Sequence, residues 1–214
     1  MRSILVVNPK GGCGKTTIAT NLATYYSVWN TSTALVDLDP QQSSMDWLRI
    51  RPDSENHIQG FNGLKGKIYP DPGTERVIYD APARTNTAKV AKLIQLVDAV
   101  IIPVLPSALD MRVTATFVAD IANKLRANNA KAIIGVVANR AQKNYHSYHA
   151  LISFLKRMDV PFVGVLRNSQ NYVKAADSGI GIFEMPSNEV ENDMKEWKPI
   201  LHWIEGKRVL KSKI

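Results

Sequence analysis

The sequence predicts an α/β fold: a mostly parallel sheet flanked by helices, built as one domain over residues 1–214. Two observations carry this reading. Short, nearly all-apolar runs rich in β-branched residues alternate with longer amphipathic stretches. Strands without polar alternation are the kind that a parallel sheet buries on both faces. The composition agrees, since 214 residues with 45% hydrophobic and 21% charged residues can bury a core without disulfides or a structural metal.

The strands expected in order are Ser3–Asn8, Thr33–Asp37, Arg76–Asp80, Ala99–Val104, Lys131–Asn139 and Pro161–Leu166. The helical patterns between and after them are Thr16–Trp29, Thr85–Val97, Asp110–Asn128, Tyr145–Met158, Tyr172–Ser178 and Glu189–Glu205. Strand, helix, strand in succession implies right-handed crossovers. In the last helix Trp197, Ile200, Leu201 and Ile204 recur at i, i+3, i+4 and i+7, so one face packs on the body. Residues 52–75 hold three prolines and four glycines and read as an irregular excursion with room for one short strand.

Several classes are excluded or disfavoured. A single cysteine, Cys13, cannot form an internal disulfide or a multi-thiolate zinc site and suits a reducing compartment. No run approaches the ~18 apolar residues of a membrane span, and the apolar part of the N-terminus is too short for a signal peptide. The net charge of +8 hints at a polyanionic partner. Residues 1–107 carry 11 basic and 9 acidic residues, whereas 108–214 carry 16 and 10, so the surplus lies in the second half.

The strongest local signal follows the first strand, which runs into Pro9-Lys10-Gly11-Gly12-Cys13-Gly14-Lys15-Thr16-Thr17 and then a helix. A strand, a glycine-rich turn and a helix N-terminus make a phosphate-binding loop, because backbone N–H groups and the positive end of the helix dipole converge on an anion. The loop backbone from Gly11 and Gly12 through Cys13 and Gly14 to Lys15, Thr16 and Thr17 would cradle the phosphates. Lys15 is placed to reach the β- and γ-phosphates, and the Thr16 hydroxyl to ligate Mg²⁺. Cys13 reads as a small side chain that the loop tolerates; a lowered pKa and oxidation at a helix N-terminus would be an incidental liability and not chemistry. Two further strands end in acids, at Asp37 with Asp39 just beyond it, and at Asp80. The carboxyl edge of a parallel sheet is where α/β proteins bind ligands.

The loop has Pro9 where the usual pattern has its first glycine, and a second lysine, Lys10, follows. KGGCGKTT thereby resembles the deviant Walker A box of the ParA/MinD family of P-loop ATPases. Val36-Asp37-Leu38-Asp39-Pro40-Gln41-Gln42-Ser43 resembles the family's second motif, and Arg76–Pro82 its Walker B-like strand. The resemblance spans Met1 to about Trp203, with its specific motifs in residues 8–43 and 76–84. It implies ATP and Mg²⁺ as cofactors and a homodimer with nucleotide sandwiched at the interface. In it Lys10 reaches the partner's phosphates, Asp39 orients the attacking water, and Asp80 holds Mg²⁺ through a water and leads into a switch loop, Ala81–Thr87. Asp37 would sit near the metal or Lys15, and Asn139 with Arg140 would contact the base. The segment from Arg167 to Glu184 would close over the base and feed the dimer surface.

The first strand starts at residue 3, so the resemblance is to short ParA-type partition and positioning ATPases without an N-terminal DNA-reading domain. For these it implies non-specific DNA binding as the ATP dimer, with Arg167 and Lys174 as the matching contacts. It also implies slow hydrolysis stimulated by a small ParB-like adaptor, a cytoplasmic, nucleoid-associated location, and a cargo such as a plasmid, chromosome or protein organelle. The alternative is a MinD-like ATPase that cycles on a membrane. The tail from Gly206 to Ile214 is basic but has only three large apolar residues and no aromatic, so no stable membrane association is expected. A nitrogenase iron protein-like role fails for want of cluster cysteines. A dethiobiotin synthetase-like ligase would need an acid pocket that no motif marks.

Overall fold

A computed structural model describes residues 1–65, 68–85, 87–127 and 131–206. The tail segment 207–214 considered above for membrane contact lies outside them, as does residue 86 of the switch loop. The order is β1 (Arg2–Val6), α1 (Lys15–Val28), β2 (Thr33–Asp37), α2 (Ser43–Arg49), β3 (Gln59–Asn62), β4 (Arg76–Asp80), α3 (Thr87–Ile94), β5 (Ala99–Val104), α4 (Ala108–Ala127), β6 (Ile133–Ala141), α5 (His146–Leu155), β7 (Phe162–Arg167), α6 (Asn171–Asp177) and α7 (Ser187–Ile204), with a 3₁₀ turn at Ile182–Glu184 before α7. The seven strands form one sheet in the order β3-β2-β4-β1-β5-β6-β7, and every pair is parallel. The expected fold class is the observed one.

Successive residues of β1 point to opposite faces, as the pleat requires, and each face has its own helix layer. Ile4 and Val6 pack with Ile18, Leu22 and Tyr26 of α1 and with Val190, Trp197 and Ile200 of α7. Leu5 and Val7 pack with Val90 of α3, Phe117 and Ile121 of α4, and Leu151 of α5. All four strand residues are fully buried, which is why the run carries no polar alternation. β1 lies between β4 and β5, so the chain moves to one side of it through β2 and β3 and to the other through β5 to β7. A crevice opens at such a reversal, at the carboxyl ends of the strands.

Two elements differ from expectation. Helix α2 has no counterpart among the expected helices, because it has seven residues and its cap is not local. The Ser44 and Met45 N–H groups donate to Asp37 Oδ2 at 2.8 and 3.1 Å, across seven and eight positions of sequence. α3 is shorter than the Thr85–Val97 pattern, ending at Ile94. The short strand allowed for in residues 52–75 is β3, at the sheet edge.

Helix α7 packs as its periodicity requires, with Trp197, Ile200, Leu201 and Ile204 all buried. The Trp197 indole donates to Tyr172 Oη at 3.0 Å and meets the Phe183 ring edge to face. On the same side Arg51 and Glu184 form a buried ion pair. Arg51 also stacks on Trp47 and donates to the Gly179 carbonyl. Segment 179–184 is thereby bolted to the end of α2. Replacing Trp197 with Ala removes the ring and leaves Tyr172 without its donor. The expected loss is about 3–5 kcal/mol, read as a lower urea midpoint at unchanged slope.

Candidate functional site

The loop between β1 and α1 turns on two glycines in the left-handed region, Gly12 (φ 74°) and Gly14 (φ 92°). At Gly14 a Cβ would stand 2.2 Å from Asn139 Nδ2, so neither conformation nor space admits a side chain there. α1 begins at Lys15, and the N–H groups of its first turn have no intrahelical acceptor and point back into the loop. Lys15 is buried, with Nζ donating to the Lys10 carbonyl at 3.3 Å. No partner is recorded for the Lys10 ammonium among the described residues.

The strand-end acids converge on this loop. In the sheet register Asp37 pairs with Asp80 and Asp80 with Val6. Asp80 is 1% exposed. Its Oδ2 accepts the Thr16 hydroxyl at 2.7 Å and the Ser44 hydroxyl at 2.6 Å, while its Oδ1 is buried with no partner. Burial pushes its pKa up to about 6, against the pull of the two hydroxyls and of Lys15. Hydroxyl and carboxylate oxygens beside an unfilled carboxylate valence suit a hard cation that takes few protein ligands. No cluster of three or more His, Cys, Asp or Glu occurs among the described residues, which leaves most of such a cation's coordination to water and phosphate.

Asp39 sits at the mouth. Its Oδ1 accepts the Gln41 N–H at 2.9 Å and its Oδ2 the Ala83 N–H at 3.2 Å, so the carboxylate is aimed by backbone and keeps lone pairs for water. Ala83 and Arg84 belong to the expected switch loop. Arg84 has φ 57°, and its N–H donates to the Pro9 carbonyl at 2.8 Å. The three motifs are thus joined by hydrogen bonds.

Other expected residues are placed differently. Asp37 is fully buried, and its oxygens accept the N–H groups of Asp39, Ser44 and Met45. Burial raises its pKa despite these bonds. Its carboxylate orders the second motif and caps α2 instead of facing the loop lysine. The next serine after the motif, Ser44, is the one that reaches Asp80. Asn139 gives one amide hydrogen to the Cys13 carbonyl at 2.7 Å, its Oδ1 accepts the Arg140 N–H, and it also lines the cavity beside the loop. It clamps the loop from behind. Arg140 is exposed with φ 50° and, with Thr17, Ser169 and Tyr172, lines a cavity of about 320 Å³ beside the loop.

Arg167 is not the free cation that the sequence suggests. Its Nε and Nη2 donate to the two oxygens of Asp193 at 2.7 and 3.0 Å, and the Asp193 side chain is fully buried. Asp193 also receives Ser169 and Asn171, so the ion pair closes the start of α6 onto α7. Lys174 is exposed on α6. The Cys13 thiol is buried and donates to the Lys10 carbonyl. Burial raises its pKa, outweighing the opposing pull of Lys15, so the liability of a thiol at a helix N-terminus is not realised here.

The raised pKa of Asp80 has a consequence for stability. Because the folded value lies above the ordinary 3.8, the cost of the buried charge is absent below pH about 4 and complete above about 6. In the nucleotide-free protein this group lowers stability as pH rises through that window, by at most about 3 kcal/mol. Urea unfolding of wild type and Asp80→Asn at pH 4.5, 5.5 and 7 should show the variant lacking that fall.

The geometry has counterparts among known proteins. Over 193 residues, 86% of this chain and 87% of the relative, it is 28% identical to the maintenance of carboxysome distribution protein A of Halothiobacillus neapolitanus. Over 74 residues, 34% of this chain and 30% of the relative, it is 39% identical to the chromosome-partitioning ATPase Soj of Thermus thermophilus. The solved ATP complex of a Cyanothece McdA variant superposes with a TM-score of 0.74 at 17% identity, covering 98% of each chain. The family model CbiA, the CobQ/CobB/MinD/ParA nucleotide binding domain, matches residues 4–182, and the chain belongs to that family.

Proposed function

We propose that the chain is an ATP- and Mg²⁺-dependent ATPase of the ParA-like positioning kind, in which ATP joins two copies and the pair holds DNA non-specifically until a partner stimulates hydrolysis. The observation that carries this reading is the convergence of Lys15, Thr16, Asp39 and Asp80 on one loop, with the Lys10 ammonium unpaired among the described residues. The relatives named for carboxysome distribution and chromosome partitioning support the cellular role of moving a cargo over the nucleoid.

Lys15 offsets charge on the terminal phosphates, and the loop N–H groups from Gly11 to Thr17 hold their oxygens. Thr16 would ligate Mg²⁺ directly, and Asp80 would hold it through a water. Bound there, Mg²⁺ neutralises charge developing between the β- and γ-phosphates. Asp39, held by Gln41 and Ala83, orients the attacking water, and loss of the γ-phosphate is read by the segment that hangs on Asp39 and Pro9. Asn139 acts by bracing the loop, and Arg140 with Thr17 borders the base. Lys10 has no acceptor among the described residues and reaches the partner's phosphates, so the site is complete only in the dimer.

The DNA surface follows from the second-half charge. Arg167 pairs with Asp193 yet stays partly exposed, and it borders the same cavities as the exposed Arg140 and Lys143, while Lys174 is exposed on α6. They recognise backbone phosphate without reading bases.

Three substitutions test the ATPase reading. Lys15→Ala should abolish binding of a fluorescent ATP analogue, and Lys10→Ala should bind it yet stay monomeric in light scattering. Asp39→Ala should accumulate an ATP-bound dimer, and wild-type hydrolysis by that variant would sink the water-orienting role. DNA co-sedimentation tests the partner: binding should require ATP and fall with salt at a log-log slope near −5 if ~6 phosphates are neutralised. Equal binding without ATP, or pelleting with anionic vesicles instead, would overturn it.

A further inference from the structure

The phosphate loop departs from the usual pattern at Pro9, and that departure leaves a gap in the sheet which a side chain fills. On the β5 side, the Val7 N–H donates to the Ile101 carbonyl at 3.0 Å. In a parallel pair the next such bond falls two residues on along both strands, from residue 9 to the carbonyl of Pro103. Pro9 has no N–H to give. The Pro103 carbonyl is taken instead by Asn8 Nδ2 at 2.7 Å.

The same amide makes two more bonds. Nδ2 also donates to Thr114 Oγ1 at 3.1 Å, in the second turn of α4, and Oδ1 accepts the backbone N–H of Lys10 at 2.9 Å. Asn8 is 1% exposed and Thr114 fully buried. Two donors and one acceptor aimed at three fixed partners is a requirement that an amide meets and that a carboxylate, a hydroxyl or an apolar group of that size does not. The bonds run from β5 and α4 directly to the backbone of the lysine whose ammonium has no partner among the described residues.

We propose that Asn8 is the positioning residue for Lys10: its side chain replaces the ladder bond that Pro9 forbids and fixes the Lys10 backbone against β5 and α4, aiming the lysine outward to a second copy. The role rests on the trans function given to Lys10 above. It differs from the role of Asn139, which holds the other limb of the loop at Cys13. Asn8 touches no phosphate; it acts through Lys10, and Thr114 acts through Asn8. The arrangement also makes α4 sensitive to the position of Lys10, since a shift of the loop mouth must either carry Thr114 with it or break a buried bond.

Three variants and two readouts test this. Hydrogen exchange of the Lys10 amide reports the tether itself. It should quicken by about 10-fold or more in Asn8→Ala and by a smaller factor in Thr114→Val, while Thr114→Ser, which keeps the hydroxyl, should match wild type. ATP-dependent dimerisation and hydrolysis report the consequence: Asn8→Ala should lower hydrolysis about 10-fold, and lower it no further in a Lys10→Ala background. Affinity of the monomer for a fluorescent ATP analogue should stay within about 3-fold, because Lys15 and the loop amides are untouched.

Unchanged exchange at Lys10 would overturn the proposal. So would equal losses in both backgrounds, or a parallel loss of nucleotide affinity, either of which would mark Asn8 as a general support of the loop. Should Asn8→Ala not fold, Thr114→Val against Thr114→Ser decides the same points. If Lys10→Ala itself dimerises and hydrolyses as wild type does, the trans role of Lys10 fails, while the exchange measurement still judges the tether.

Discussion

A carboxylate at the end of a central strand, buried with one oxygen unpaired, is costly in a protein interior. Leaving such a group unsatisfied costs about 1–3 kcal/mol, and more when it is charged. Asp80 is in this position because β4 lies between β2 and β1, so its last residue emerges where the strands diverge. Thr16 and Ser44 satisfy one oxygen, and the other has no partner among the described residues. The loop, the second motif and the switch segment all meet around that vacant valence. A structure built this way is poised to gain stability from a bound cation.

The polar network around Asp80 does different work from the apolar layers beneath it. Those layers hold β1 so firmly that its carboxyl end is a fixed reference. Above that reference, single hydrogen bonds connect elements distant in sequence: Asp39 to Ala83, Arg84 to Pro9, and Asn139 to Cys13. Each can be exchanged for a bond to water at small net free-energy change, so the upper tier can rearrange while the sheet stays still. Strain at Arg84 and Arg140, both non-glycine residues at positive φ, lies in the same tier. Such conformations cost of order 1–3 kcal/mol and persist where surrounding structure enforces them.

Much of this was legible in the sequence because the strands are buried on both faces. Apolar runs ending in Asp37 and Asp80 announce their own carboxyl ends, and the glycines of the loop announce the turn. The roles of side chains whose partners are remote were not legible. Asn139 meets Cys13 across 126 positions, and Arg167 meets Asp193 across 26. Nothing near either residue in sequence points to that partner. Helix α2 escaped for a related reason, since its cap is the carboxylate of the preceding strand. Asn8 could have been found, because a proline directly after a strand in a parallel sheet orphans a carbonyl, and a neighbouring amide is the simplest remedy. For Cys13, the helix-terminus rule was outweighed by burial, which depends on how the loop packs and on no local pattern.

The buried thiol gives the molecule a property independent of its chemistry. Cys13 is the sole cysteine. It is enclosed by the loop it belongs to and, in the closed form, held largely as the unreactive protonated species by its raised pKa. A thiol reagent can modify it only when the loop opens or the domain unfolds. The rate of labelling is then a clock for that opening. Ligands that hold the loop shut slow the clock, so the labelling rate of the native side chain reports on loop occupancy.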